Sequence, residues 1–157
     1  MPIYKFIHTQ DDWIQTNLTN KSFDNTWFKV EASGKIIIKG SHGNGYAWDG
    51  CSPKWKLFGR IIGTPDGKID PVTNRPKTYY ASMFHDAIYQ HKNAEGMNIS
   101  RREADAIFKL MLQKANFRSW RLYTIGVRLG GWFYGKWQSK SNQKNIFISS
   151  YSWLQDH

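Results

Sequence analysis

Ser100-Arg-Arg-Glu103 is the pattern in which a serine hydroxyl and a carboxylate three residues on satisfy two backbone N–H groups left free at a helix start. It sets a helix boundary before any tertiary contact is considered. Behind it Ala104, Ile107, Phe108, Met111, Leu112 and Ala115 recur at helical spacing and form one apolar stripe, which must be laid against something. Upstream, Ala81, Phe84, Ala87 and Ile88 recur at the same spacing, which predicts a helix between Thr78 and His91. The eight residues 92–99 contain Asn and Gly, and a link this short makes the two helices an antiparallel pair.

The N-terminal region reads as strands. Ile3, Lys5 and Ile7 alternate with Tyr4, Phe6 and His8, while Thr26 to Val30 and Lys35 to Lys39 are β-rich runs with Ser33-Gly34 in the turn between them. The pattern then breaks at GSHGNGYAWDGCSPKW, which holds four glycines and a proline, and stays turn-rich through GTPDGKIDPVTNRP. Long irregular segments in a compact domain more often carry function than not. RSWRLYTIGVRLGGWFYGKW is helix-like from about Ser119, yet each of Gly126, Gly130, Gly131 and Gly135 costs about 1 kcal/mol of helix propensity relative to Ala. Either close packing over small residues compensates, or the segment breaks in two. NIFISSYSWLQ is a terminal strand or a docked tail. The expectation is one α+β domain over 1–157: a strand-rich region over 1–45 with a small N-terminal antiparallel sheet, a loop-rich region over 46–77, and a helical region over 78–140.

Composition narrows the class. A chain of 157 residues is long enough to bury one sizeable core, and 40% hydrophobic residues with eight Trp exclude a disordered or fibrous protein. Cys51 is the single cysteine, so an intramolecular disulfide framework is excluded. MPIYKFIHTQDDW has no apolar stretch behind basic residues, so no signal peptide is expected, and no apolar run approaches the roughly 18 residues of a spanning helix. The net charge of +10 points to polyanionic partners or simply to solubility. From Arg101 to Lys140 nine Lys or Arg stand against Glu103 and Asp105, so the C-terminal region carries the basic face.

Chemistry concentrates at ASMFHDAIYQ. On a helix His85 and Tyr89 stack on one face with Asp86 nearby, and an antiparallel partner brings Asp105 back toward them. A carboxylate bonded to one imidazole nitrogen sets the tautomer and lets the other nitrogen take a proton from water. Asp86 is then left for a hard cation such as calcium, with Asp49 in the loop GNGYAWDG as a second candidate ligand. The structural alternative is a helix-edge pair that holds the two helices together, with Asp49 a turn residue.

HDAIY followed by ADAIF resembles the active-site signature of compact phospholipases of the A-two class. That resemblance implies His85 as general base, Asp105 as its orienting partner, Asp86 as calcium ligand and Tyr89 as supporting hydrogen-bond donor. The longer pattern of Asp49-Gly-Cys-Ser52-Pro53, then His85-Asp86, then SRREAD at Ser100 to Asp105, resembles a family of small bacteriophage proteins to which no activity is assigned. It implies a phage source, and hence the host cytoplasm or the virion as location.

Arg118, Trp120, Arg121, Arg128, Trp132, Lys136 and Trp137 interleave rings with cations, which reads first as core packing of a structural helix pair and also suits an anionic membrane surface, other phage proteins, or single-stranded nucleic acid. Three readings stand. The first is a His/Asp hydrolase acting on an ester, with anionic lipid as substrate class. The second is a non-catalytic accessory or virion protein, and the third a nucleic-acid binder.

Overall fold

The computed structural model describes residues 6–48, 56–57, 60–61, 69–130, 136–137 and 143–154. Among these described residues nine strands and three helices follow in chain order: β1 (Phe6–His8), β2 (Asp11–Thr16), β3 (Phe23–Asp24), β4 (Phe28–Val30), β5 (Lys35–Lys39), β6 (Tyr46–Trp48), β7 (Lys56–Leu57), β8 (Arg60–Ile61), α1 (Tyr79–Gln90), α2 (Arg101–Lys114), α3 (Trp120–Gly130) and β9 (Ile148–Tyr151). A 3-10 turn, Ser152–Leu154, follows β9. The fold is α+β. A five-stranded antiparallel sheet runs β3-β4-β5-β2-β9, β1 pairs with β6, and β7 pairs with β8.

The expected hairpin is β4–β5, closed by hydrogen bonds from Glu31 N to Lys35 O and from Gly34 N to Glu31 O. Gly34 is required there because its φ is +90° and a Cβ would stand 2.3 Å from the carbonyl oxygen of Thr16. Alternation along the strands turns Ile14, Phe28, Val30, Ile36 and Ile38 inward, where Met83, Phe84, Ile88, Ile107, Phe108 and Leu112 of the helices are buried with them. Each such side chain contributes about 1.5–3 kcal/mol on burial.

Two features exceed the sequence reading. The sheet takes in β9, so Ile148–Tyr151 within NIFISSYSWLQ is a strand, pairing with β2 as Ile14 with Tyr151 and Gln15 with Ser150. The loop-rich stretch 46–77 contains β6, β7 and β8, and the turn after them is closed by a bridge between Ile69 and Pro76. Tyr46 and Trp48 enter β6 because both rings are buried, at 4% and 1% exposure, and their burial outweighs the turn propensity of the flanking glycines. Of the expected first strand, Phe6 to His8 is observed as β1, and Ile3 to Lys5 lie outside the described residues.

The helices follow their local signals. Ser100 Oγ accepts from Glu103 N at 3.1 Å and Glu103 Oε2 accepts from Ser100 N at 2.8 Å, which completes the capping box of α2. Glu103 Oε1 also accepts from Gln143 N at 2.9 Å and so ties the C-terminal segment to the helix start. Tyr89 reaches Asp105 while His85, one turn earlier, packs on Phe108, so α1 and α2 run antiparallel. α3 continues through Gly126 to Gly130, packed against α2. No helix among the described residues is long and apolar enough to cross a membrane.

Candidate functional site

The antiparallel pairing of α1 and α2 brings three of the residues singled out in the sequence to one point. His85 Nε2 lies 2.9 Å from Asp105 Oδ1, and the Tyr89 hydroxyl donates to the same oxygen at 2.6 Å. A carboxylate only accepts, so the neutral imidazole carries its proton on Nε2 and its lone pair on Nδ1. Nδ1 has no hydrogen-bond partner among the described residues. The ring is held between Tyr89 and Phe108, at centroid distances of 4.2 and 4.9 Å, and His85 is 7% exposed.

Asp105 is 2% exposed, and its second oxygen, Oδ2, is buried without a hydrogen bond among the described residues. The cation beside it is Arg101, one turn back on α2, whose Nε is 3.8 Å from Oδ2. Burial raises the pKa of the Tyr89 phenol strongly, and the adjacent Asp105 charge raises it further. Tyr89 therefore remains a donor throughout the working pH range. Nothing in the sequence pattern pointed to Arg101, although its i to i+4 spacing from Asp105 is the signal that marks it.

Asp86 is half-buried on α1 beside His85, and Asp49 lies outside the described residues. Among the described residues no three His, Cys, Asp or Glu side chains group to hold a metal ion. Calcium takes six to eight oxygens, so the described carboxylates do not by themselves supply its shell.

A second His-Asp-Tyr cluster escaped the sequence reading altogether. His8 Nε2 lies 2.7 Å from Asp12 Oδ2, and His8 Nδ1 lies 3.0 Å from the Tyr79 hydroxyl. Asp12 also accepts from Gln10 Nε2 at 3.0 Å and, through Oδ1, from the Ser152 hydroxyl. Burial alone would raise the Asp12 pKa, but the hydrogen bonds from His8, Ser152 and Gln10 outweigh it and hold the carboxyl below its usual value. Burial pushes the Tyr79 phenol up to about 12, with Arg75, 4.3 Å over its ring, acting the other way. Both nitrogens of His8 are engaged and the residue is 0% exposed. The cluster joins β1, β2, α1 and the 3-10 turn as a closed polar staple, with no nitrogen left for a reaction.

The predicted surface residues separate. Arg118, Arg121, Arg128 and Lys136 are exposed. Trp120 is half-buried with Lys109 and Arg121 over its ring, at 5.3 and 5.2 Å. Trp137 lies edge-on to Tyr89 at 4.7 Å and donates Nε1–H to the Ile99 carbonyl at 2.7 Å, so it covers the His85 cluster. Trp132 lies outside the described residues. A cavity of about 320 Å³ opens elsewhere, at the start of α1 and the end of α2, lined by Ile14, Tyr80, Ala81, Met111, Lys114 and Trp153 among others. His85 is not in its wall; Ala81, one helical turn earlier, is. Compared with family models, with curated proteins and with solved structures, the chain has no match in any of the three.

Proposed function

We propose that the protein is a phage-encoded hydrolase of the His/Asp type, acting on an ester with His85 as general base. The observation that carries this reading is the asymmetry of the His85 imidazole. Nε2 is held by a buried carboxylate, while Nδ1 has no hydrogen-bond partner among the described residues. In the reaction Nδ1 takes a proton from water as the water oxygen attacks the ester carbonyl. Asp105 stabilises the imidazolium formed, and Tyr89 keeps the Asp105 carboxylate in place. The tetrahedral intermediate then expels the alkoxide, which receives the proton back from Nδ1, leaving a carboxylic acid and an alcohol. A positioned base of this kind contributes about 10²–10⁴-fold to the rate.

An ester in an anionic lipid is the substrate class this reading favours, since a chain of net charge +10 attracts such a surface. Asp86 is the described residue that would hold calcium, and calorimetric titration of calcium into wild type and Asp86→Ala tests that separately. The test of the hydrolysis is release of fatty acid from phosphatidylglycerol by wild type, His85→Asn and Asp105→Asn, with melting temperatures measured alongside. Loss of turnover in both folded variants supports the reading; wild type inert toward phospholipid and soluble esters overturns it.

The closed His8-Asp12-Tyr79 cluster favours a second reading, because this chain already uses the same three residue types as a staple. On that reading the protein is a non-catalytic virion or accessory protein in the host cytoplasm or the particle. Its His85 and Asp105 variants then lower the melting temperature, and there is no turnover to lose.

A further inference from the structure

α3 leaves an apolar stripe in solvent. Leu122, Ile125 and Leu129 are 48%, 57% and 55% exposed, and their spacing of three and four places them on one helical face. Arg121 and Arg128 are exposed on α3 beside this stripe, and Arg118 is exposed in the turn that leads into the helix. The opposite face turns inward: Tyr123 packs edge-on against Phe117 at 4.9 Å, and Trp120 and the aliphatic Val127 pack against the core. From Ala106 to Gln155 the chain has eight Lys or Arg and no Asp or Glu.

We propose that α3 is an interfacial helix that seats the protein on an anionic lipid bilayer, with Leu122, Ile125 and Leu129 entering the acyl boundary and Arg118, Arg121 and Arg128 on the headgroups. A helix with aliphatic residues on one side, arginines beside them and no acidic residue matches the composition that lies in the plane of a membrane interface. The alternatives fit less well. Single-stranded nucleic acid is gripped by rings that stack on bases, and the two rings of α3, Trp120 and Tyr123, pack against the core. A second copy of the chain would set three arginines against three arginines.

The docked helix is joined to the His85 cluster through one side chain. Arg101 donates to the carbonyl of Arg128 at the end of α3 and lies 3.8 Å from Asp105. The proposal does not rest on hydrolysis, since a non-catalytic protein would dock by the same face.

The test is co-sedimentation of the full chain with vesicles of phosphatidylcholine, alone or mixed with phosphatidylglycerol. Two triple variants accompany wild type: Leu122→Gln with Ile125→Gln and Leu129→Gln, and Arg118→Gln with Arg121→Gln and Arg128→Gln. Wild type is expected on the mixed vesicles and not on phosphatidylcholine alone. The arginine variant loses about a hundredfold in partitioning, and the aliphatic variant at least about tenfold. All substituted residues are exposed, so melting temperatures stay unchanged; should a triple variant misfold, Ile125→Gln alone serves, with a smaller loss in the same direction. Absence of wild-type binding overturns the proposal. So does undiminished binding by the aliphatic variant, which would mean adsorption by charge alone. Tighter binding of a single-stranded oligonucleotide, retained by the aliphatic variant, would overturn it in favour of nucleic acid. Because no turnover is read, failure here leaves the hydrolase reading to its own test.

Discussion

Tyr89 and Asp105, sixteen positions apart on two helices, meet at 2.6 Å, and the tyrosine shares its acceptor oxygen with His85. That second donor is what distinguishes a held carboxylate from a merely adjacent one. Removing it in Tyr89→Phe keeps the ring against His85 and Trp137 but leaves Asp105 short of a hydrogen bond in a buried place. Stability is expected to fall by about 1–3 kcal/mol in urea unfolding. On the proposed reaction, hydrolysis is expected to fall in kcat with KM little changed, because the phenol would position the base without touching substrate. An unaltered kcat would remove Tyr89 from the proposed machinery.

His8 should behave differently from His85. Taking away the His8 ring removes the 2.7 Å partner of buried Asp12 and leaves Gln10 and Ser152 to hold the carboxylate, a loss of about 3 kcal/mol. His8→Ala is therefore expected to lower the melting temperature by roughly 10 °C, while turnover per folded molecule is retained. Thermal unfolding followed by circular dichroism, together with activity normalised to folded protein, separates the two histidines.

Acid stability depends on Asp12. Its folded pKa lies below the ordinary value of 3.8, so the ionised form is favoured by folding. The stability it contributes is present above pH 3.8 and is lost as pH falls through that value toward the lower folded pKa. Asp12→Asn should flatten this portion of the stability profile while lowering stability at neutral pH. Urea midpoints measured across the acid range would show an unchanged slope if another carboxyl were responsible.

At high pH the sign reverses through Tyr79. Its phenol ionises at about 12 when folded against 10.0 when unfolded, so the folded state keeps the proton longer. Stability is then full below pH 10.0 and declines as pH rises through about 12. Tyr79→Phe should reduce that decline, read as the pH midpoint of alkaline unfolding. The same midpoint in the variant would exclude Tyr79 as the cause.

Gly96, in the link between α1 and α2, has φ +80°, and a Cβ there would stand 2.0 Å from the carbonyl oxygen of Ser22. The left-handed conformation costs a non-glycine residue about 1–2 kcal/mol, and the contact with backbone adds to it. Gly96→Ala is expected to destabilise by at least about 2 kcal/mol in urea unfolding. A change below about half that would mean the link can move away from β3 freely.

Local spacing carried much of this protein's architecture. The Ser100 capping box, the stripe from Ala104 to Leu112 and the turn closed by the Glu31–Gly34 and Glu31–Lys35 hydrogen bonds each depend on contacts within a few residues, and each stands in the structure as its spacing implies. The meeting of His85, Tyr89 and Asp105 was legible for the same reason: helix periodicity and a short link leave few other places for the second carboxylate. Tertiary structure decided the rest. β2, an interior strand between β5 and β9, begins Asp11-Asp12 and lacks the alternation of an obvious strand in its sequence. It becomes one because His8, Gln10 and Ser152 satisfy Asp12 in the interior. β9 joins it from more than 130 positions away, a pairing that no local pattern encodes. The face of α3 that meets solvent was likewise set by which rings α2 and the core could accept. Periodicity predicts that a helix has sides, but only packing determines which side is covered.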